Sequence, residues 1–151
     1  MEPSPYGDCV FCKIAGHQAS ASLVAEDDVT VAFLDIRPVN PGHAIVIPKE
    51  HVAHLADLTP ALGGRVFATA MAVADGLRRS GLKCEGVNLH LADGPVAGQE
   101  VFHVHVHVIP RFEGDGFGLR LGPDYGRMAS RGHLDSVAAR IRSAMADGSS
   151  T

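Results

Sequence analysis

The stretch Val101-Phe-His-Val-His-Val-His-Val-Ile-Pro-Arg111 alternates imidazole with valine from His103 to Val108. On an extended strand, residues i, i+2 and i+4 share one face at intervals of about 6–7 Å. Val101–Ile109 is therefore predicted as a strand, with His103, His105 and His107 on one side. Val104, Val106 and Val108 then face the opposite layer and pack in the core. The three imidazoles cannot all be core residues on this reading. In a row they can share charge, bind a metal or hold an anion at neutral pH. Two chemistries compete. A His-x-His pair can hold a catalytic zinc that activates water, or one imidazole can act as nucleophile while its neighbours orient it and handle a phosphate.

Working outward, Val87–Leu91 also alternates and is predicted as a strand, joined to the first through Asp93-Gly94-Pro95 and Gly98. Leu23-Val24 and Val29–Leu34 read as a strand pair around a Glu26-Asp27-Asp28 turn. Pro38, Asn40, Pro41 and Gly42 form a loop before the buried strand Ala44–Ile47. Thr59-Pro60 is a helix N-cap followed by proline in the first turn. Leu62, Val66, Ala70, Val73 and Leu77 then recur at helical spacing until Gly81 stops the run. Leu134, Val137, Ile141 and Met145 mark a second amphipathic helix. The expected class is α+β, with an antiparallel sheet, one long helix and a C-terminal helix.

The chain has 151 residues, which suggests a single domain spanning 1–151 with a flexible tail at 147–151. Its hydrophobic content of 46% can build a core, and with 5% aromatics and no Trp that core must be mainly aliphatic. A net charge of −4 argues against binding a nucleic-acid backbone, which needs a basic face. No segment has the length or apolarity of a membrane span, and the start lacks the pattern of an export signal, so a cytoplasmic location is expected. Thiols stay reduced there. Cys9-Val-Phe-Cys12 then points to metal or redox chemistry, and Cys84 reads as a small buried or half-exposed residue.

Three blocks together resemble the histidine triad (HIT) family: Cys9-Val-Phe-Cys12-Lys-Ile, Phe33-Leu-Asp-Ile-Arg-Pro-Val-Asn-Pro-Gly-His-Ala-Ile-Val-Ile-Pro-Lys-Glu-His51, and Gly94–Arg111 with Ala97-Gly-Gln ahead of the triad. The resemblance implies a HIT-like fold, a homodimer, and cleavage at the α-phosphorus of a purine nucleotide derivative. It implies that His105 attacks phosphorus to give a nucleotidyl-imidazole, and that His107 sits beside the phosphate or leaving group. Asp35 would hold the ribose hydroxyls, although it also suits an Asx turn ahead of Arg37-Pro38. Phe33 and Ile36 would wall the base. Gly98, with Gln99, would belong to a phosphate turn in which backbone N–H groups approach the anion. Cys9, Cys12, His51 and His103 look like the structural zinc set of bacterial members. His43 carries no readable role.

Two positions depart from the family pattern. Ala92 stands where an amide usually contacts phosphate, and Glu100 stands where a hydroxyl usually follows Gly-Gln. Both bear on the leaving group accepted. The expected activity is that of a hydrolase or transferase acting on a phosphoramidate-type derivative. A dinucleoside polyphosphate hydrolase or phosphorylase, and a nucleotide-binding regulatory protein with little turnover, remain the alternatives.

Overall fold

The computed structural model describes residues 7–148, in two units, one ending at Phe117 and the other beginning at Gly118. In the first unit, helix α1 (Val10–Ala15) precedes strands β1 (Leu23–Glu26), β2 (Thr30–Leu34) and β3 (Ala44–Pro48). Helix α2 (Pro60–Arg79) and strands β4 (Gly86–His90) and β5 (Val106–Arg111) follow. The five strands form one antiparallel sheet in the order β1-β2-β3-β5-β4. The expected α+β architecture stands.

Strand parity sorts the side chains into two layers. Ala32, Ala44, Val46, Val106 and Val108 face α2 and pack on Val66, Ala70, Val73 and Leu77. Val31, Phe33, Ile45 and Ile47 face the other way and pack on Phe11 and Ile14 of α1. Burying each large aliphatic side chain contributes about 1.5–3 kcal/mol. His107 lies opposite Ile45 in the β3–β5 register, so its parity places it on the α1 side.

Helix α2 begins as its sequence signals: the Thr59 hydroxyl accepts from the Leu62 N–H at 3.2 Å, and Pro60 occupies the first turn. Its last turn carries Arg78 and Arg79, which suit the negative end of the helix dipole. Gly81, at φ +84°, follows the cap. Helix α1 is a finding that the sequence reading lacked. Six residues hold less than two turns, too few to display a periodicity.

The largest correction concerns the decisive strand. It begins at Val106 instead of Val101, and it runs on through Pro110 to Arg111. The β3–β5 ladder stops at Val46–Val106 because continuing it would set Val104 against Pro48, which has no N–H to give. The Val104 N–H instead bonds the Val52 carbonyl at 2.7 Å. His103 and His105 thus precede the strand, and both are buried, His103 completely. One ring nitrogen of each is hydrogen-bonded to a backbone carbonyl, His103 Nε2 to Pro48 and His105 Nδ1 to His103.

The second unit contains α3 (Arg131–Gly148), whose start is capped by the Ser130 hydroxyl accepting from the His133 N–H at 3.2 Å. Leu134, Val137, Ile141 and Met145 lie on it as predicted, and all are exposed. The helix continues through Asp147 and Gly148, where a frayed tail was expected; residues 149–151 lie outside the described part. Among the described residues, no helix is long and apolar enough to cross a membrane.

Candidate active site and metal centre

Cys9 and Cys12 flank the first turn of α1, where Cys9 Sγ also accepts from the Cys12 N–H. Ninety residues of chain then fold back to bring His103 against them. Cys9 Sγ and Cys12 Sγ each lie 3.5 Å from His103 Nδ1, and Cys12 Sγ lies 3.1 Å from His51 Nδ1. The four ligand atoms all fall within 4.8 Å of one another. A zinc tetrahedron with Zn–S near 2.3 Å and Zn–N near 2.0 Å has edges of about 3.3–3.8 Å. The set therefore fits a closed two-thiolate, two-imidazole centre.

The His103 tautomer agrees. Its Nε2–H donates to the Pro48 carbonyl at 2.8 Å, which leaves the Nδ1 lone pair aimed at the sulfurs. Burial, with Cys9 alongside, pushes the Cys12 thiol up to about 12. A bound dication reverses that preference by stabilising the thiolate.

The same reasoning sets the tautomers of the other imidazoles. A carbonyl can only accept, so His105 Nδ1–H donates to the His103 carbonyl at 2.7 Å. The lone pair of His105 is then on Nε2. The Val39 N–H donates to His43 Nδ1 at 3.0 Å, which places the His43 proton on Nε2. That proton is donated to His107 Nδ1 at 2.8 Å, and the His107 proton must be on its own Nε2. Asp35 Oδ2 stands 3.7 Å from His43 Nε2 and 3.9 Å from His107 Nδ1. Burial lowers the pKa of His43, His103 and His105, and it lowers His107 to about 4 with help from the neighbouring His105 and His43. His105 and His107, with ring centroids 5.0 Å apart, offer one lone pair and one N–H at neutral pH.

A cavity of about 520 Å³ opens onto them, within the range of small-molecule sites. Its lining brings together Phe33, Asp35, Ile36, Gly98 and Glu100 with His105 and His107. Ile36 is almost fully exposed, at 90%. Asp35 makes the expected Asx turn, its Oδ1 accepting from the Arg37 N–H at 2.8 Å, and the residue also lines the cavity. Asn40 holds this loop in place by donating to the Pro110 carbonyl and to Asp115, each at 2.9 Å.

Three expectations meet a different placement. Gln99 is buried, and its amide is engaged internally: Oε1 accepts from the Gly94 N–H at 2.8 Å, and Nε2 donates to the carbonyls of Ala53 and Val101. It braces the loop and does not line the cavity. The N–H groups of Gly94, Ala97, Gly98 and Gln99 also bond within this loop or to that brace, so they are not open donors for phosphate. Ala92 is half-buried and lies outside the lining.

His43 joins His107 and Asp35 in this cluster, a placement that the sequence reading left without a role. The signal was available in parity. His43 is two residues before Ile45, so the alternation that turns Ile45 toward the α1 face turns His43 toward the same side as His107.

The HIT domain family matches residues 17–114. An uncharacterized HIT-like protein of Borreliella burgdorferi is 45% identical over 116 residues, covering 76% of this chain and 84% of that protein. The crystal structure of a HIT family protein from Bacillus anthracis superposes with a TM-score of 0.82 at 37% identity, covering 91% of this chain and 96% of the other. A Zn-bound histidine triad family protein from Mycobacterium smegmatis gives a TM-score of 0.71 at 42% identity, covering 78% and 84%. With the paired imidazoles, the lined cavity and the Cys/His cluster in place, these matches establish that the chain belongs to the HIT family.

Proposed function

We propose that this protein cleaves purine nucleoside 5′-phosphoramidates at the α-phosphorus, through a nucleotide carried on His105. Nucleotide hydrolysis or transfer is the general kind of chemistry for its family. The observation that carries the finer reading is the opposite protonation of two adjacent rings: a lone pair on His105 Nε2 and a proton on His107 Nε2.

In the first step His105 Nε2 forms a bond to phosphorus as the phosphorus–amine bond breaks. The anionic substrate lying beside His107 brings a second proton onto that ring, whose Nε2–H passes to the departing nitrogen, so the amine leaves neutral and His107 returns to the neutral imidazole. The His105 ring, now bonded at both nitrogens, keeps its Nδ1–H on the His103 carbonyl, which stabilises the positive charge it acquires. In the second step water attacks phosphorus and gives a proton to His107 while the phosphorus–His105 bond breaks. The products are the nucleoside monophosphate and the restored ring pair. Asp35 accepts the ribose hydroxyls, and Phe33 and Ile36 take the base.

A zinc ion held by Cys9, Cys12, His51 and His103 would tie α1 to the segment carrying the nucleophile, a structural contribution. Four protein ligands leave no open position for water. We further propose a homodimer in the cytoplasm. Exposed Phe67 and Met71 on α2, and the exposed stripe on α3, support the dimer.

The test is trapping. Enzyme quenched during turnover of adenosine 5′-phosphoramidate should carry an added adenylyl mass on the peptide containing His105, and His105→Ala should carry none. Diadenosine tetraphosphate belongs in the same panel. Faster cleavage of that compound than of every phosphoramidate would reject the amine leaving group.

A further inference from the structure

Glu100 lines the same cavity as His105 and His107, yet nothing in the steps above uses it. Its backbone leaves a loop made rigid by the Gln99 amide, which ties Gly94, Ala53 and Val101 together. The side chain is exposed, and no hydrogen bond or ion pair engages its carboxylate among the described residues. Asp35, the other cavity carboxylate, differs in being committed to the Arg37 N–H and to the His43–His107 pair.

The charges around the cavity are Asp35 and Glu100 against Arg37. A leaving group that enters this space with extra anionic charge meets two carboxylates and the single guanidinium of Arg37. A polyphosphate tail brings several such charges. An amine bearing a distal ammonium brings the opposite one.

We propose that Glu100 is a specificity residue that selects the leaving group by charge, favouring a cationic amine over a neutral one and disfavouring an anionic or polyphosphate one. The inference rests on the nucleotidyl-transfer reading of this cavity. Glu100 takes no part in bond making. Because the carboxylate is exposed, each unit of charge changes preference by about fivefold, the upper end for a solvent-exposed pair. The preference should weaken as salt rises toward a Debye length of a few ångströms.

The experiment uses three adenosine 5′-phosphoramidates of equal size, whose leaving amines end in trimethylammonium, tert-butyl or carboxylate. Their kcat/KM values are compared for the wild-type protein and for E100Q. The wild type should rank cation above neutral above anion by about fivefold per step, and E100Q should bring all three within about twofold. The same ranking in E100Q would overturn the proposal.

Binding of the three compounds to His105→Asn, with and without E100Q, is measured by calorimetry. It should show the same charge ranking, and the ranking should be lost with E100Q. A preserved binding ranking with no turnover of any compound by the wild type would reject the proposed chemistry while sustaining the charge selection. No measurable binding of any of the three would reject both.

Discussion

His43 donates its Nε2–H to Nδ1 of His107 across 2.8 Å, joining two residues 64 positions apart. That one bond decides which nitrogen of His107 holds a proton. The backbone sets the direction of the whole chain of bonds, because the Val39 N–H can only donate and so compels His43 Nδ1 to accept.

Replacing His43 by Ala removes the donor and lets the His107 proton move to Nδ1, away from the leaving group. For an amine, which must be protonated to depart, kcat should fall by about 10²-fold. For a leaving group that departs well as an anion, such as p-nitrophenolate, the loss should be much smaller. Steady-state kinetics on the two substrate types measure the difference, and equal losses would contradict the assigned role.

Burial holds His107 to about 4, below an ordinary imidazole near 6.5. Between those values the unfolded chain binds a proton that the folded protein refuses, so folding stability falls as pH drops from about 6.5 to about 4. Above 6.5 both forms are neutral and this residue adds no pH dependence. The effect amounts to at most about 3 kcal/mol across the window. Denaturation midpoints of the wild type and His107→Asn, taken at pH 7 and pH 5, check it. The substitution should flatten the slope.

Protein prepared without added metal should contain about one zinc per chain by elemental analysis. Chelation, or Cys12→Ser, should lower Tm by about 10 °C, which corresponds to several kcal/mol for a chain of this size. Metal-free protein melting at the same temperature would refute the anchoring role of the four ligands.

The Gln99 amide makes three hydrogen bonds to backbone groups, at 2.8, 2.8 and 3.1 Å. Gln99→Ala leaves those groups without their partner and should cost about 2 kcal/mol. It should also raise KM, since Gly98 and Glu100 are held at the cavity by the same loop. Chemical denaturation and kinetics on one preparation report both effects.

Much of the sheet was legible locally. The alternation His-Val-His-Val-His-Val stated which residues would face α2, and Val106 and Val108 do. Thr59-Pro60 announced the start of α2, and Cys9-x-x-Cys12 announced paired thiols, because capping and ligand spacing depend on neighbours a few residues away. By itself, then, the sequence determined the faces of the strands, the cap of α2 and the triad and thiol residues. Tertiary structure decided where the triad strand begins, since that turned on Pro48 lying across from Val104. It also decided the protonation of four imidazoles, His43, His103, His105 and His107. Each tautomer follows from a single backbone partner or from another ring: Pro48 for His103, the His103 carbonyl for His105, Val39 for His43, and His43 for His107. Periodicity records which way a side chain points. It does not record which donor or acceptor, brought in from elsewhere in the chain, will be waiting there.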